Sequence, residues 1–299
     1  MIAASQNETE FAMKVKSILF PVDFSPRAAA IVPHVEAAAR RFGAAVTLLH
    51  LVETPVMPYG PVETLAFPGL QPAALRARAE ELMDRFAETA FSGMRVRRWV
   101  DMGDPAVCIT ALARDWDIDL IMMPTHGRGP FRAALLGSIT SKVLHDADCA
   151  IWTAAHADGL PPGRHVDWRS IVCAVGLSAE SGRLLNAAQD LHDTLGSKIQ
   201  VLHAVPGEEA FPQRLMDEEF VAVLRRRAEE AIGDAQCDAG TRFDVAVETG
   251  DVARAVARYA CNAGADLVLV GRGQDRSRGG LHSHTYGIIR DAPCPVLSI

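Results

Sequence analysis

Positive charge is in short supply in this chain of 299 residues: 37 Asp and Glu against 30 Lys and Arg leave a formal net charge of −7, with a pI near 5.8. A general nucleic-acid binder attracts phosphate with surplus basic charge, so that class is set aside and only local basic clusters remain. Long hydrophobic runs are missing as well. No stretch approaches the roughly 18 apolar residues of a membrane span, and Met1 to Met13 is polar and acidic with no apolar h-region. The expectation is a cytoplasmic protein with no membrane span. The six cysteines, Cys108, Cys149, Cys173, Cys237, Cys261 and Cys294, include no CxxC pair and no zinc-site spacing. Most fall in apolar patterns and read as small buried hydrophobes in a reducing compartment. Catalytic signatures are absent too. There is no GxSxG elbow, no HExxH helix, no P-loop, and neither HxGH nor SGGxDS follows the first strand. A binder or switch is expected rather than an enzyme, with slow adenine-nucleotide hydrolysis as the alternative.

What is present is a compact globular composition, 49% apolar, long enough for two domains. Ser17 to Val22 reads as a short buried strand. Ser25 before Pro26 supplies an N-cap and first-turn pair for a helix running to Arg41 and stopping at Gly43. Ala45 to Val52 is a continuously apolar strand, the pattern of a parallel sheet covered on both faces. Glu53 to Gly69, with four prolines and two glycines, is a loop long enough to form a lid. Pro72 to Phe91 follows as an amphipathic helix with Leu75, Ala79, Leu82, Met83 and Phe86 on one side. Arg95 to Val100 is the third strand, Asp104-Pro105 caps the next helix to near Trp116, and Ile118 to Met123 is the fourth strand. A helix from Ser138 to His145 and a short strand, Cys149 to Thr153, close the unit in the order βαβαβαβαβ.

The order then repeats. Ser170 to Val175 matches Ser17 to Val22, and Leu202-His203 matches Leu49-His50. Thr249-Gly250-Asp251 matches Met102-Gly103-Asp104, and Asp266 to Val270 matches Asp119 to Met123. The expected organisation is a tail over 1–15, a domain over 16–153, a linker over 154–168 and a second domain over 169–299. Each domain is expected to be a doubly wound parallel sheet with right-handed crossovers.

The stretch that points to a ligand is Pro124-Thr125-His126-Gly127-Arg128-Gly129, continued by Gly137-Ser138-Ile139-Thr140. It lies between the fourth strand and its helix, where open α/β sheets bind ligands. Glycines permit close backbone approach, and the N–H groups of the helix's first turn face an anion. The same pattern also fits a plain strand-to-helix connection, with Gly127 and Gly129 shaping a turn and Ser138 capping the helix. His126 fits either a phosphate contact or a satisfied turn histidine. Arg128 and Arg132 are placed to meet phosphate oxygens, although arginines at such positions are commonly solvated. His282 and His284, two apart, do not share a helix face and make a poor metal pair.

Together, Pro21-Val22-Asp23-Phe24-Ser25, Leu48-Leu49-His50-Leu51-Val52, Met102-Gly103-Asp104-Pro105, Thr125-His126-Gly127 and Leu135 to Thr140 resemble the universal stress protein family in its tandem form, over nearly all of Lys16 to Ile299. The resemblance implies two Rossmann-like domains of the adenine nucleotide alpha hydrolase type. Each would be a five-stranded parallel sheet flanked by helices, with the two domains paired edge to edge within the chain about a pseudo-two-fold axis. It implies ATP or another adenine nucleotide as ligand, with or without Mg, held by Pro21, Asp23, Leu51, Pro124, His126, Gly127, Arg128, Gly129, Gly137, Ser138, Ile139 and Thr140. Asp23 would contact the nucleoside, Leu51's backbone the adenine, and the glycine loop the phosphates. Asp23 fits equally a role in tying down its own turn. The nucleotide-binding members place a glycine where this chain has Pro124, which lacks an N–H.

The second half departs further. Gly176 stands for Asp23, Gln274 for Gly127 and His284-Thr285 for Gly137-Ser138, while Gly271 supplies the leading glycine. A degenerate second site is expected, with the basic run Arg272 to Gly280 left as a weak anion site. Two roles follow: a nucleotide-responsive stress or regulatory protein acting on an unidentified protein partner, with homodimerisation of the chain, or a nucleotide-independent assembly or chaperone-like scaffold.

Overall fold

A computed structural model describes residues 13–53, 71–126, 136–155, 166–178, 180–207, 218–272 and 283–299. The first half comprises β1 (Ser17–Pro21), α1 (Pro26–Ala30), α2 (Val32–Phe42), β2 (Ala45–Val52), α3 (Pro72–Ala90), β3 (Val96–Met102), α4 (Pro105–Asp115), β4 (Leu120–Pro124), α5 (Ser138–Asp146) and β5 (Ala150–Ala154). The second comprises β6 (Ser170–Ala174), α6 (Ser181–Leu195), β7 (Lys198–Val205), α7 (Glu218–Asp238), β8 (Asp244–Thr249), α8 (Val252–Asn262), β9 (Leu267–Val270), α9 (Ser283–Asp291) and β10 (Val296–Ser298).

The two parallel sheets meet edge to edge, as the resemblance implies, and among the described residues form one sheet in the order β3-β2-β1-β4-β5-β10-β9-β6-β7-β8. Each half is parallel within itself, and the halves join through one antiparallel pair, with Leu297 opposite Trp152. Joining the two short terminal strands satisfies edges that would otherwise template aggregation. Ser298 Oγ donates to Ile151 O at 3.2 Å across this seam.

Continuous apolarity does mean burial on both faces. Along β1, Ile18 and Phe20 enter one core layer and Leu19 the other; along β4, Leu120 and Met122 part from Ile121 and Met123 in the same way. The first layer lies under α1, α2, α3, α6 and α7, the second under α4, α5, α8 and α9, and each runs unbroken across both halves.

The helix expected from Ser25 to Arg41 is two helices meeting at Ile31. Pro33 has no N–H, and its ring clashes with the carbonyl four residues back, so one continuous helix cannot pass it. The ends are as expected: Ser25 Oγ accepts from Ala28 N, and Gly43 closes α2 at φ 66°. The cysteines depart from expectation, since only Cys173 is buried, while Cys237 and Cys261 are exposed.

The repeat extends to single hydrogen bonds. Asp119 accepts from the backbone N–H groups of Lys16 and Ser17, and Asp266 from those of Arg169 and Ser170. Asp104 caps α4 through Val107 N, and Asp251 caps α8 through Arg254 N. Thr140 Oγ1 donates to Pro124 O, and Thr285 Oγ1 to Gly271 O. This last pair corrects the alignment of the second half. Ser283, not His284, stands opposite Ser138, and His282 holds the place of Gly137.

Candidate functional site

Strand β1 lies between β2 and β4, and the chain leaves it in opposite directions, so the first switch point is at the upper ends of β1 and β4. There the ladder stops early: β1 and β4 pair only at Ile18↔Leu120 and Leu19↔Ile121. The reason lies in two prolines. Val22 N donates to Leu49 O, so even residues of β1 face β2 and odd ones, Pro21 included, face β4. Thr125 N donates to Ala154 O, so odd residues of β4 face β5 and even ones, Pro124 included, face β1. The next two rungs would need N–H groups from Pro21 and Pro124, and neither has one. Each proline thus withholds one rung, and the Pro124 ring becomes part of the wall where the strands separate. In the second half, with Ala174 and Gly271 at these places, pairing of β6 with β9 continues through Ala174↔Val270.

Above the prolines opens a cavity of about 330 Å³, lined among others by Pro21, Asp23, Leu51, Pro124, Ile139 and Thr140. That volume is at the lower end for small-molecule sites. The cavity brings together six residues expected from the sequence and adds His50, Glu53, Ile109 and Met123. Ile109 had no motif to mark it. Its signal is the helical spacing that turns it, four residues after Pro105, toward the same end of the sheet.

The backbone of β2 supplies the polar edge. Gly103 N donates to Val52 O, so Val52 faces β3, and Leu49 faces β1. By alternation Leu51 presents its N–H and C=O on the β1 side, two residues beyond the Pro21↔Leu49 pair that ends the β1–β2 ladder. An adjacent donor and acceptor thus border the cavity. His50 fixes this level, because its Nδ1 donates to Val22 O at 2.7 Å. His203 repeats the bond to Val175 O at 2.8 Å.

Asp23, just beyond the end of β1, also lines the cavity. Its Oδ1 accepts from Ser25 N at 3.0 Å, the turn-tying role foreseen for it, and a carboxylate has further lone pairs for a ligand. Phe24 holds a left-handed φ of 57°, a strained state for a bulky residue. Its ring packs on His50 at 4.4 Å and on Phe86 at 5.9 Å, which retains it there.

Helix α5 forms the remaining wall. Gly137 precedes it, and a Cβ there would meet Thr125 O at 3.0 Å, so the chain needs glycine to pass. Gly137 has no side chain with which to cap the helix. Ser138 and Ile139 are exposed, whereas Thr140 is buried with its hydroxyl proton given to Pro124 O. Lys142 reaches Asp104 at 3.6 Å and ties α5 to α4. The N-cap bond from Val107, and next the charge of Lys142, hold the Asp104 carboxyl below its usual range. His126 bonds Thr125 Oγ1 through Nδ1 at 3.0 Å. Burial, and then the nearby Arg27 cation, lower its pKa, so it is neutral at pH 7. Gly127, Arg128, Gly129 and Arg132, the loop Thr54 to Gly69 and the run Gly273 to His282 lie outside the described residues.

The fold and cleft define a class: a tandem, doubly wound α/β protein with a ligand-sized cavity at the switch point of its first half. A sequence profile of the universal stress protein family matches residues 14–154 and again 167–299. The chain belongs to that family and carries two of its domains in tandem. Universal stress protein MJ0577 of Methanocaldococcus jannaschii is 29% identical over 145 residues, covering 43% of this chain and 88% of that protein. The structure of a universal stress protein from Archaeoglobus fulgidus superposes with a TM-score of 0.68 at 20% identity, covering 96% of each chain, a likeness of fold. A universal stress protein solved in complex with cAMP aligns with 44% of this chain, and 97% of its own, at 22% identity and a TM-score of 0.31.

Proposed function

We propose that the first half binds ATP or another adenine nucleotide in this cleft and that the chain is a nucleotide-responsive stress or regulatory protein. The observation that carries the reading is the Leu51 peptide edge, a donor and an acceptor side by side at the mouth of a cavity that two prolines hold open. A purine amidine edge offers the complementary acceptor and donor, and the apolar walls from Ile109 and Met123 suit a flat base. Asp23 takes ribose hydroxyls. The first turn of α5, whose cap residue supplies no side-chain acceptor, turns its N–H groups to the phosphates together with the glycine loop. Any Mg²⁺ arrives on the phosphates, the usual mode for an ion that keeps most of its waters.

The second half is read as a degenerate site. Its strands zip higher, and it lacks a carboxylate at Gly176. One tight nucleotide per chain is therefore the expected stoichiometry. The output is a changed surface around α5, read in the cytoplasm by a protein partner or by a second copy of the chain.

The test is mass-spectrometric identification of ligand released from freshly purified protein, beside Asp23→Ala and Gly137→Val. Wild type is expected to release an adenine nucleotide and the variants little. Equal retention in all three rejects the site, an empty wild type rejects the nucleotide reading, and two tight nucleotides per chain reject the asymmetry. Release of the diphosphate from protein loaded with ATP reveals slow hydrolysis.

A further inference from the structure

Helix α5 forms one wall of the first-half cleft, yet part of what holds it comes from the other half of the chain. Arg272 lies two residues beyond β9, after Gly271, and in the repeat it holds the place of Thr125, which follows Pro124 at the end of β4. Its guanidinium crosses the seam. Nη1 donates to Ala147 O at 2.8 Å and Leu144 O at 3.4 Å, and Nη2 donates to Cys149 O. Leu144 and Ala147 carry carbonyls at the end of α5 that have no helical partner of their own, and a cation is favoured at that end of the dipole. Arg272 is itself anchored, since its N–H donates to Ile299 O at 2.8 Å. Half-way along the helix Tyr286 Oη of α9 donates to Ser141 O at 3.0 Å. Burial and then Asp146 raise the Tyr286 pKa, so the hydroxyl keeps its proton to give.

The arrangement is one-sided. By the internal repeat, the residue that would return the favour to α9 is Thr125, whose hydroxyl reaches Ala154 O within its own half. The start of the second half's loop has thus been committed to the first half's helix. A nine-residue helix is a rod of about 13 Å. Its last turn is held by Arg272, its middle by Tyr286, and its first turn by Thr140 on Pro124 O. Releasing the far end lets the near end pivot.

We propose that Arg272, aided by Tyr286, is a positioning residue for the first-half nucleotide site: across the seam it sets the direction in which α5 aims its first-turn amides at the phosphates. This rests on the nucleotide reading above. It makes the second half a working part of the site even though it binds no nucleotide tightly itself.

The experiment uses the full chain as wild type, Arg272→Ala, Arg272→Lys and Tyr286→Phe, with two readouts. Ligand-free amide exchange is expected to quicken about tenfold in α5 of Arg272→Ala while α4 is unchanged. Calorimetry is expected to show ATP binding weakened about tenfold and adenosine binding within about twofold, because only the phosphates meet α5. Arg272→Lys keeps the charge without the planar fork and should fall between. Unchanged α5 exchange overturns the proposal, and so does equal weakening of ATP and adenosine, which marks a merely structural role. If wild type binds neither ligand, the nucleotide reading fails and the exchange readout alone decides whether Arg272 orients α5. Should Arg272→Ala not fold, the Lys and Phe variants carry both readouts.

Discussion

His34 should make the seam between the two halves acid-sensitive. It lies on α2 at 4% exposure, its ring 4.8 Å from that of Trp152, whose strand β5 joins the halves. Neither ring nitrogen has a hydrogen-bond partner among the described residues. Burial alone brings its pKa from 6.5 down to about 4. The folded chain thus holds a neutral imidazole where the unfolded chain, below pH 6.5, takes up a proton. Stability from this group is intact above the unfolded value and is lost as pH falls from 6.5 toward 4, at about 1.4 kcal/mol per pH unit. The whole window, about 2.5 pH units wide, comes to about 3.4 kcal/mol. About 2 kcal/mol of it is gone at pH 5 and almost none at pH 7. His34→Leu removes the titrating group and two unpartnered buried nitrogens, so it should be at least as stable as wild type at pH 7. Urea denaturation of both proteins at pH 7 and pH 5 isolates the term, since other titrating groups cancel in the difference. The variant's advantage should grow by about 2 kcal/mol on acidification; the same advantage at both pH values would refute a neutral buried His34.

Three further outcomes follow from the cleft and the strand ends. Pro21→Ala restores an N–H aimed at Met122 O, so the new amide should be protected from exchange and ATP binding weakened several-fold as β1 zips to β4; exchange at the free-peptide rate would show that the prolines do not part the strands. Gly137→Val puts a Cβ 3.0 Å from Thr125 O, and calorimetry should record at least about a tenfold loss of ATP affinity with the fold kept by circular dichroism. Asp119→Ala removes the acceptor of Lys16 N, Ser17 N and Ser17 Oγ. It should lower unfolding free energy by about 2 kcal/mol, and Asp266→Ala should cost a similar amount if the halves are equivalent at that end.

How much of this was legible varies by kind of signal. Strand positions and the repeat were legible because continuous apolar runs have one stable environment, a sheet covered on both faces. Helix starts were legible at Ser25, Asp104 and Asp251, where a side-chain oxygen meets a first-turn N–H within three residues. The break at Ile31 was also written locally, in Pro33, but the alanine-rich run around it hides the break. Cysteine burial was not legible, because Cys237 and Cys261 sit on α7 and α8, helices that also bury apolar residues, yet are exposed, while the buried Cys173 lies in strand β6. The offset of His284-Thr285 could be corrected only by seeing Thr285 repeat the bond of Thr140.

The candidate site divides the same way. Asp23, Leu51 and Gly137 were marked by the family motifs they match, whereas the way Pro21 and Pro124 part the strands needed the register of β1 against β4. Ile109, Met123 and Arg272 were not so marked. Their contribution depends on which strands lie side by side and on how two distant segments cross.

By itself, then, the amino-acid sequence determined the tandem α/β plan and the approximate ends of its strands and helices, since these follow from periodicity, repeat and capping. Edge-to-edge pairing of the halves was implied by the family resemblance; only the tertiary structure decided the register of that seam, that the first switch point is open while the second is zipped, and that Arg272 of one half grips a helix of the other. Those facts depend on register and on contacts between segments far apart in the chain, and no local pattern carries them.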